Sequence, residues 1–190
     1  MKTIRKVIAL IPLLILWMML SILLWGFVFN LITDAPPAEK ITLCVDAETP
    51  GATKLAVQLE ETLDGKVRMV KVRPFDYAMF DSGTLTGADL FIVPASHVET
   101  YQEWFSPLPE ELRDQGLPLE IGGTVYGVRA YNAAAGTGIA KDCIQYGEPK
   151  GEKEDYYLFF GKNSVHTIEN ENAADNTAVD AALRLFDLYK

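Results

Sequence analysis

The stretch KITLCVDAETPGATKLAVQLEETLDGKVRMVKV, residues 40–72, decides the fold class. Ile41 to Val45 is a compact, β-prone run. Thr49, Pro50 and Gly51 follow as a helix start, with Thr49 as the N-cap and Pro50 at the first helical position. Leu55, Leu59 and Leu63 then recur every four residues, which places them on one face of a helix. Asp64-Gly65 ends that helix, and Val67 to Val72 alternates apolar and basic residues as a second strand would. A strand, a helix and a strand in this order make a βαβ unit and a parallel sheet.

The pattern continues downstream. Leu90-Phe91-Ile92-Val93 is an unbroken apolar run between Asp89 and Pro94, as expected of a strand buried on both faces. A crossover spans Phe75 to Thr86, and a short helix is predicted from Ser96 to Phe105. Leu108 to Leu119 reads as a Pro-rich, acidic connection. Strands are predicted over Thr124–Ala130 and Tyr156–Phe160, separated by a small-residue loop at Asn132–Gly138 and a polar loop at Tyr146–Asp155. A last helix carries Val179, Ala182, Leu183, Phe186 and Tyr189 on one face. The predicted domain is a mainly parallel central sheet flanked by helices.

Upstream, the composition changes abruptly. Residues 7–33 contain no charged side chain, and the 26 residues from Val7 to Ile32 exceed the roughly 20 needed to cross a bilayer core. Lys2, Arg5 and Lys6 precede the run, and Trp25, Phe27 and Phe29 cluster near its far end. The expectation is a basic cytoplasmic stub at 1–6, a transmembrane anchor at 7–33, a linker at 34–40 and an extracytoplasmic domain at 41–190. Cleavage after Ala35 competes with the anchor, but Pro36 would sit directly behind the cut. Cys44 lies too far beyond the run to be a lipidation site.

The whole chain of 190 residues has net charge −9. Residues 34–190 hold 14 of the 17 basic residues and all 26 acidic ones, hence −12. So acidic a domain argues against a nucleic-acid partner. The two cysteines, Cys44 and Cys143, either form one bridge in an oxidising compartment, contributing about 4–5 kcal/mol, or remain buried thiols.

Several strings resemble the first lobe of bacterial extracellular solute-binding proteins, the type 2 periplasmic binding fold. They are KITLCVDAETPG (40–51) before an amphipathic helix, GADLFIVPASHVETY (87–101) leading to FSPLPEEL (105–112), GGTVYGVRAYN (122–132), and DYYLFFGKNSVHT (155–167). The resemblance implies two lobes that close on a solute. Here only Tyr131 to Asp155 stands where a second lobe is normally inserted, too short a stretch for a separate core.

Ligands of open parallel sheets sit beyond the carboxyl ends of strands. Those ends nominate Asp46, Glu48, Thr49, Asp76, Tyr77, Ser96 and His97, with Trp104 nearby, as a polar ligand site. The plainer alternative is that they cap helices and solvate loops. No cofactor fingerprint, nucleophile elbow or zinc spacing occurs, and the lone His166-Thr167-Ile168-Glu169 string is not a metal motif. Three functions follow as expectations: a membrane-anchored binding or interaction module without enzymatic activity, a reduced solute receptor that completes its cleft by oligomerising, and a hydrolase using Asp46 and Glu48.

Overall fold

The computed structural model describes residues 2–47, 52–75, 86–141, 144, 154–167 and 173–188. It divides into two compact units, Met1–Pro36 and Pro37–Lys190.

The first unit is dominated by one helix, α1, Lys2–Thr33. Pro12 is accommodated within its first third. Apart from Ser21 and Gly26 the side chains of Ile11–Phe29 are apolar, none is buried, and the helix is long and apolar enough to cross a membrane.

The second unit is a mixed α/β domain built on one sheet. Its strands are β1 (Lys40–Val45), β2 (Met69–Pro74), β3 (Leu90–Pro94), β4 (Phe105–Ser106), β5 (Pro118–Ile121), β6 (Thr124–Tyr131) and β7 (Tyr156–Gly161). The order across the sheet is β2-β1-β3-β7-β6-β5, and β4 pairs with β7. Two long helices, α2 (Ala52–Leu63) and α4 (Thr177–Leu188), accompany it.

The predicted strand, helix and strand form in that order, while the helix start read at Thr49, Pro50 and Gly51 lies outside the described residues. β1 pairs in parallel with β2 on one side and β3 on the other. Leu55, Leu59 and Leu63 are the buried face of α2. Lys66 N closes the turn onto Leu63 O, and Asp64 and Gly65 both take positive φ there. β2 begins two residues later than the sequence suggests, at Met69.

The sheet is not mainly parallel, however. β7 is antiparallel to both β3 and β6, and β5 is antiparallel to β6. Periodicity marks β6 and β7 as strands but carries no sign of their direction, and pairing sets β7 between β3 and β6, antiparallel to both. β5 overlaps the end of the Pro-rich, acidic connection predicted over Leu108–Leu119, yet it forms a hairpin with β6 across Gly122-Gly123. Both glycines take positive φ, +59° and +86°, as a tight hairpin turn requires.

Each sheet face buries its own cluster. Ile41, Leu43, Val45, Leu90, Ile92, Leu158 and Phe160 point towards α2 and α4. Cys44, Phe91, Val93, Tyr157 and Phe159 point the other way, towards Tyr101 and Phe105. β3 is buried at every position, which is why its sequence does not alternate. The single helix expected over 96–105 is instead three short pieces: 3-10 turns at Ala95–His97 and Gln102–Trp104 around one α-turn, α3 (Val98–Tyr101). In α4 the buried stripe is Ala178, Val179, Ala181, Ala182, Leu185 and Phe186, while Leu183 is only half-buried and Tyr189 lies outside the described residues.

Gly127 of the VYGV string has a definite packing reason. A Cβ there would stand 2.7 Å from the Phe159 ring, which in turn stacks on Phe105 at 4.1 Å between centroids.

Candidate functional site

β1 and β3 are neighbours whose onward connections leave on opposite faces of the sheet. The connection after β1 passes to α2, on the face of the larger cluster, and that after β3 passes along residues 95–104 on the other. Such a reversal opens a crevice at the strand carboxyl ends. Asp46 follows β1 and His97 follows β3, and they meet across this crevice: His97 Nδ1 lies 2.7 Å from Asp46 Oδ2. Asp46 is the more enclosed partner, with 14% of its side chain exposed against 43% for His97. The His97 ring also stands edge-on to Tyr101.

Because β7 is antiparallel, its first residues reach the same edge. The Glu154 carboxylate accepts from Ser96 twice, from the backbone N at 2.9 Å and from Oγ at 3.0 Å. Asp155 joins three elements: its carbonyl accepts from Ala95 N, its Oδ1 accepts from Ala133 N at 2.8 Å, and its Oδ2 accepts from Arg129 Nη1 at 3.3 Å. Tyr156 is half-buried beside them and packs edge-on against Tyr131. Burial, then the charges of Glu154 and Asp46 and the neighbouring Tyr131, push its phenol up to about 12, so it remains a neutral hydroxyl at physiological pH. Tyr157 is raised by burial and by Asp155, against the opposing pull of Arg129.

Next to this cluster, Asn132 Oδ1 caps the backbone N–H groups of Ala134 and Ala135 and holds the small-residue loop in a turn. Asn132, Thr137, Gln115, Leu117 and Phe186 line a cleft of about 250 Å³.

The structure thus brings together Asp46, Ser96 and His97 of the residues nominated from sequence. Trp104 packs its ring on Phe75 and Tyr101 in the aromatic layer. Glu48, Thr49, Asp76, Tyr77 and Cys143 lie outside the described residues. Glu154, Asp155, Arg129 and Tyr156 were missed. The signal for them was Glu154-Asp155 directly before a strand, and it speaks only once that strand is known to run antiparallel.

A second polar cluster sits at the opposite edge. Asp89 is buried; its Oδ2 accepts from Thr42 N at 2.8 Å and its Oδ1 from Ser164 Oγ at 2.6 Å. Burial raises its carboxyl above the ordinary range, against the pull of Ser164, Thr42 and His166. His166 is fully buried, with Nδ1 at 2.8 Å from Asp175 Oδ1 and Nε2 at 2.8 Å from the Pro37 carbonyl. Both ring nitrogens are engaged, so neither presents a lone pair to a metal. Among the described residues no group of three His, Cys, Asp or Glu side chains is placed to hold one. Ser164 serves Asp89 and not the His166 ring, so the two do not form a nucleophile–base pair.

Cys44 is a buried thiol, pushed up to about 12 chiefly by burial, with Arg73 opposing and Asp89 reinforcing.

No family model and no curated protein matches the chain. Among solved structures, thiaminase I from Bacillus thiaminolyticus is similar over 48% of this chain and 28% of its own, at 13% identity and a TM-score of 0.34. The N-glycan transport solute binding protein from Streptococcus pneumoniae, in complex with Man1GlcNAc, is similar over 50% of this chain and 25% of its own, at 12% identity and a TM-score of 0.33. A further structure of that protein aligns at 15% identity, a TM-score of 0.33 and 26% of its length. The chain therefore spans about a quarter of the length of each of these proteins, and likenesses this slight assign it neither a family nor an activity.

Proposed function

We propose that the chain is a membrane-anchored, extracytoplasmic binding module that holds a small polar solute at the carboxyl edge of its sheet. The observation that carries this reading is the Asp46–His97 pair, spanning the crevice between β1 and β3 where the connections diverge. Around it, Glu154, Asp155, Arg129 and the neutral Tyr156 hydroxyl supply acceptors and donors fixed by other strand ends. Groups held in this way suit hydroxyl-rich or zwitterionic solutes, which offer both donors and acceptors.

The anchor is α1, uncleaved, with Lys2, Arg5 and Lys6 on the cytoplasmic side and residues 37–190 outside. The module acts by binding: the Ser96 hydroxyl beside His97 is turned to Glu154 and not to the ring, as a nucleophile would be.

Thermal unfolding of the full chain in detergent micelles, followed by tryptophan fluorescence, tests the reading against sugars, amino acids and short peptides. Binding raises Tm for at least one class, and Asp46→Asn abolishes the rise. No rise for any class at millimolar concentration would contradict it.

A further inference from the structure

His166 is placed so that only its charged form satisfies its surroundings. The ring is fully buried, and each nitrogen faces an acceptor at 2.8 Å: the Asp175 carboxylate at Nδ1 and the Pro37 carbonyl at Nε2. A carbonyl has no proton to give. Asp175 is held ionised: burial works against its charge, but the Thr177 N–H, the Thr177 side chain and His166 outweigh burial and lower its pKa. Two acceptors require two N–H donors, and only imidazolium has both.

The backbone around the ring is fastened independently. His166 N donates to Ser164 Oγ, and its carbonyl accepts from Ala178 N of α4. The ring is therefore a fixed arm, and what it reaches is the first residue of the domain after the apolar helix. Pro37 opens the 3-10 turn Pro37–Glu39, which runs directly into β1 at Lys40.

We propose that His166 is a proton-operated latch that fastens the Pro37–Glu39 segment, between the apolar helix and β1, to the α/β domain.

The charged groups facing the ring are Asp175, from the turn before α4, and Asp89, the residue before β3. Burial alone would lower the imidazolium. The hydrogen bonds to Asp175 and Pro37 and the charges of Asp89 and Asp175 outweigh it, so the group titrates above its ordinary 6.5. When the proton leaves, the carboxylate keeps Nδ1–H, because a charged acceptor holds a donor more strongly than a carbonyl does. Nε2 then turns a lone pair on the Pro37 carbonyl, and that contact becomes repulsive. The latch is closed below the titration and open above it.

The test is NMR of the full chain in micelles, following the His166 ring nitrogens and the Pro37 carbonyl carbon from pH 5 to 9. The proposal expects both nitrogens protonated at pH 6 and a Pro37 carbonyl shift that moves with the same midpoint as Nε2. Asp175→Asn should lower that midpoint by about one pH unit, since an adjacent carboxylate stabilises the charged form. His166→Gln should leave the Pro37 shift independent of pH. A neutral ring at pH 6, or a Pro37 carbonyl unmoved while the ring titrates, would overturn the proposal, and the wild-type measurement decides this even if a variant does not fold.

Discussion

Asp46 and His97 are 51 residues apart in sequence and 2.7 Å apart in space, joined Oδ2 to Nδ1 across the gap between two parallel strands. Nothing in the packing of the core demands this pair. Cys44 and Val45 of β1 are already buried on opposite faces, and Asp46 is the first residue beyond them. The pair belongs to the edge of the sheet and to what the edge does.

Replacing it should therefore leave the fold standing. A hydrogen bond at the edge of the sheet contributes about 1 kcal/mol, and each kcal/mol moves Tm by about 2–4 °C in a domain of this size. Asp46→Asn and His97→Ala should each shift Tm by less than about 4 °C while removing solute-induced stabilisation. Thermal melts by circular dichroism check this, and a drop of more than about 10 °C would make the pair scaffold instead.

Gly127 should be intolerant of a side chain. A Cβ 2.7 Å from the Phe159 ring overpacks the layer that Phe159 shares with Phe105. Gly127→Ala should cost about 1–3 kcal/mol in urea unfolding. Adding Phe159→Leu should recover part of that loss, because the two side chains contest the same space. Purely additive losses would show that the ring is not the obstacle.

Asp89 should be needed as an acceptor more than as a charge. Asn in its place can accept from Thr42 N and donate to Ser164 Oγ, whereas Ala leaves the Thr42 N–H buried without its acceptor. Asp89→Ala should cost at least about 1–3 kcal/mol, and Asp89→Asn distinctly less. Equal losses on chemical denaturation would place the charge itself at the centre of the network.

The two groups that meet at Asp175 and His166 set opposite limits on stability with pH. His166 is raised above its ordinary 6.5, so its contribution is fully present below 6.5 and is lost as pH rises through the folded-state value. Asp175 is lowered from 3.8, so its contribution is present above 3.8 and is lost as pH falls through its folded-state value. Asp89, raised by burial, adds stability below 3.8 that fades as it ionises. Urea midpoints should therefore fall from pH 6 to pH 9 in the wild type and stay flatter in His166→Gln. A wild-type midpoint that rises over this range would contradict the assignment.

Cys44 should resist thiol reagents at pH 8 in the native chain and react on unfolding, because a buried thiol pushed up to about 12 presents almost no thiolate. Mass measurement before and after labelling shows this directly, and rapid native labelling of Cys44 would contradict it.

Much of the fold was legible because local and global signals agree. The βαβ opening has spacing and turn residues that point one way, and Leu55, Leu59 and Leu63 are buried as their spacing requires. The apolar run of β3 declared its double burial. What was not legible depends on pairing. β5 opens with Pro118 and is only four residues long, so its alternation of Leu119 and Ile121 with exposed neighbours is too brief to declare a strand without its partner β6. The direction of β7 is set by its pairing with β3 and β6, a property of the whole topology, and with it goes the placement of Glu154 and Asp155 beside Ser96 and Arg129. His166 looked like an isolated histidine because its partners, Pro37 and Asp175, come from the start of the domain and from the turn before α4.

The central claim is that the carboxyl edge binds a small polar solute. Amide NMR of the full chain in micelles, titrated with the sugar, amino-acid and peptide panel, tests it most directly. The account predicts shifts that saturate at Asp46, Ser96, His97, Glu154 and Asp155 for one class of solute and vanish in Asp46→Asn. Spectra unchanged at those five residues across the whole panel at millimolar concentration would contradict it.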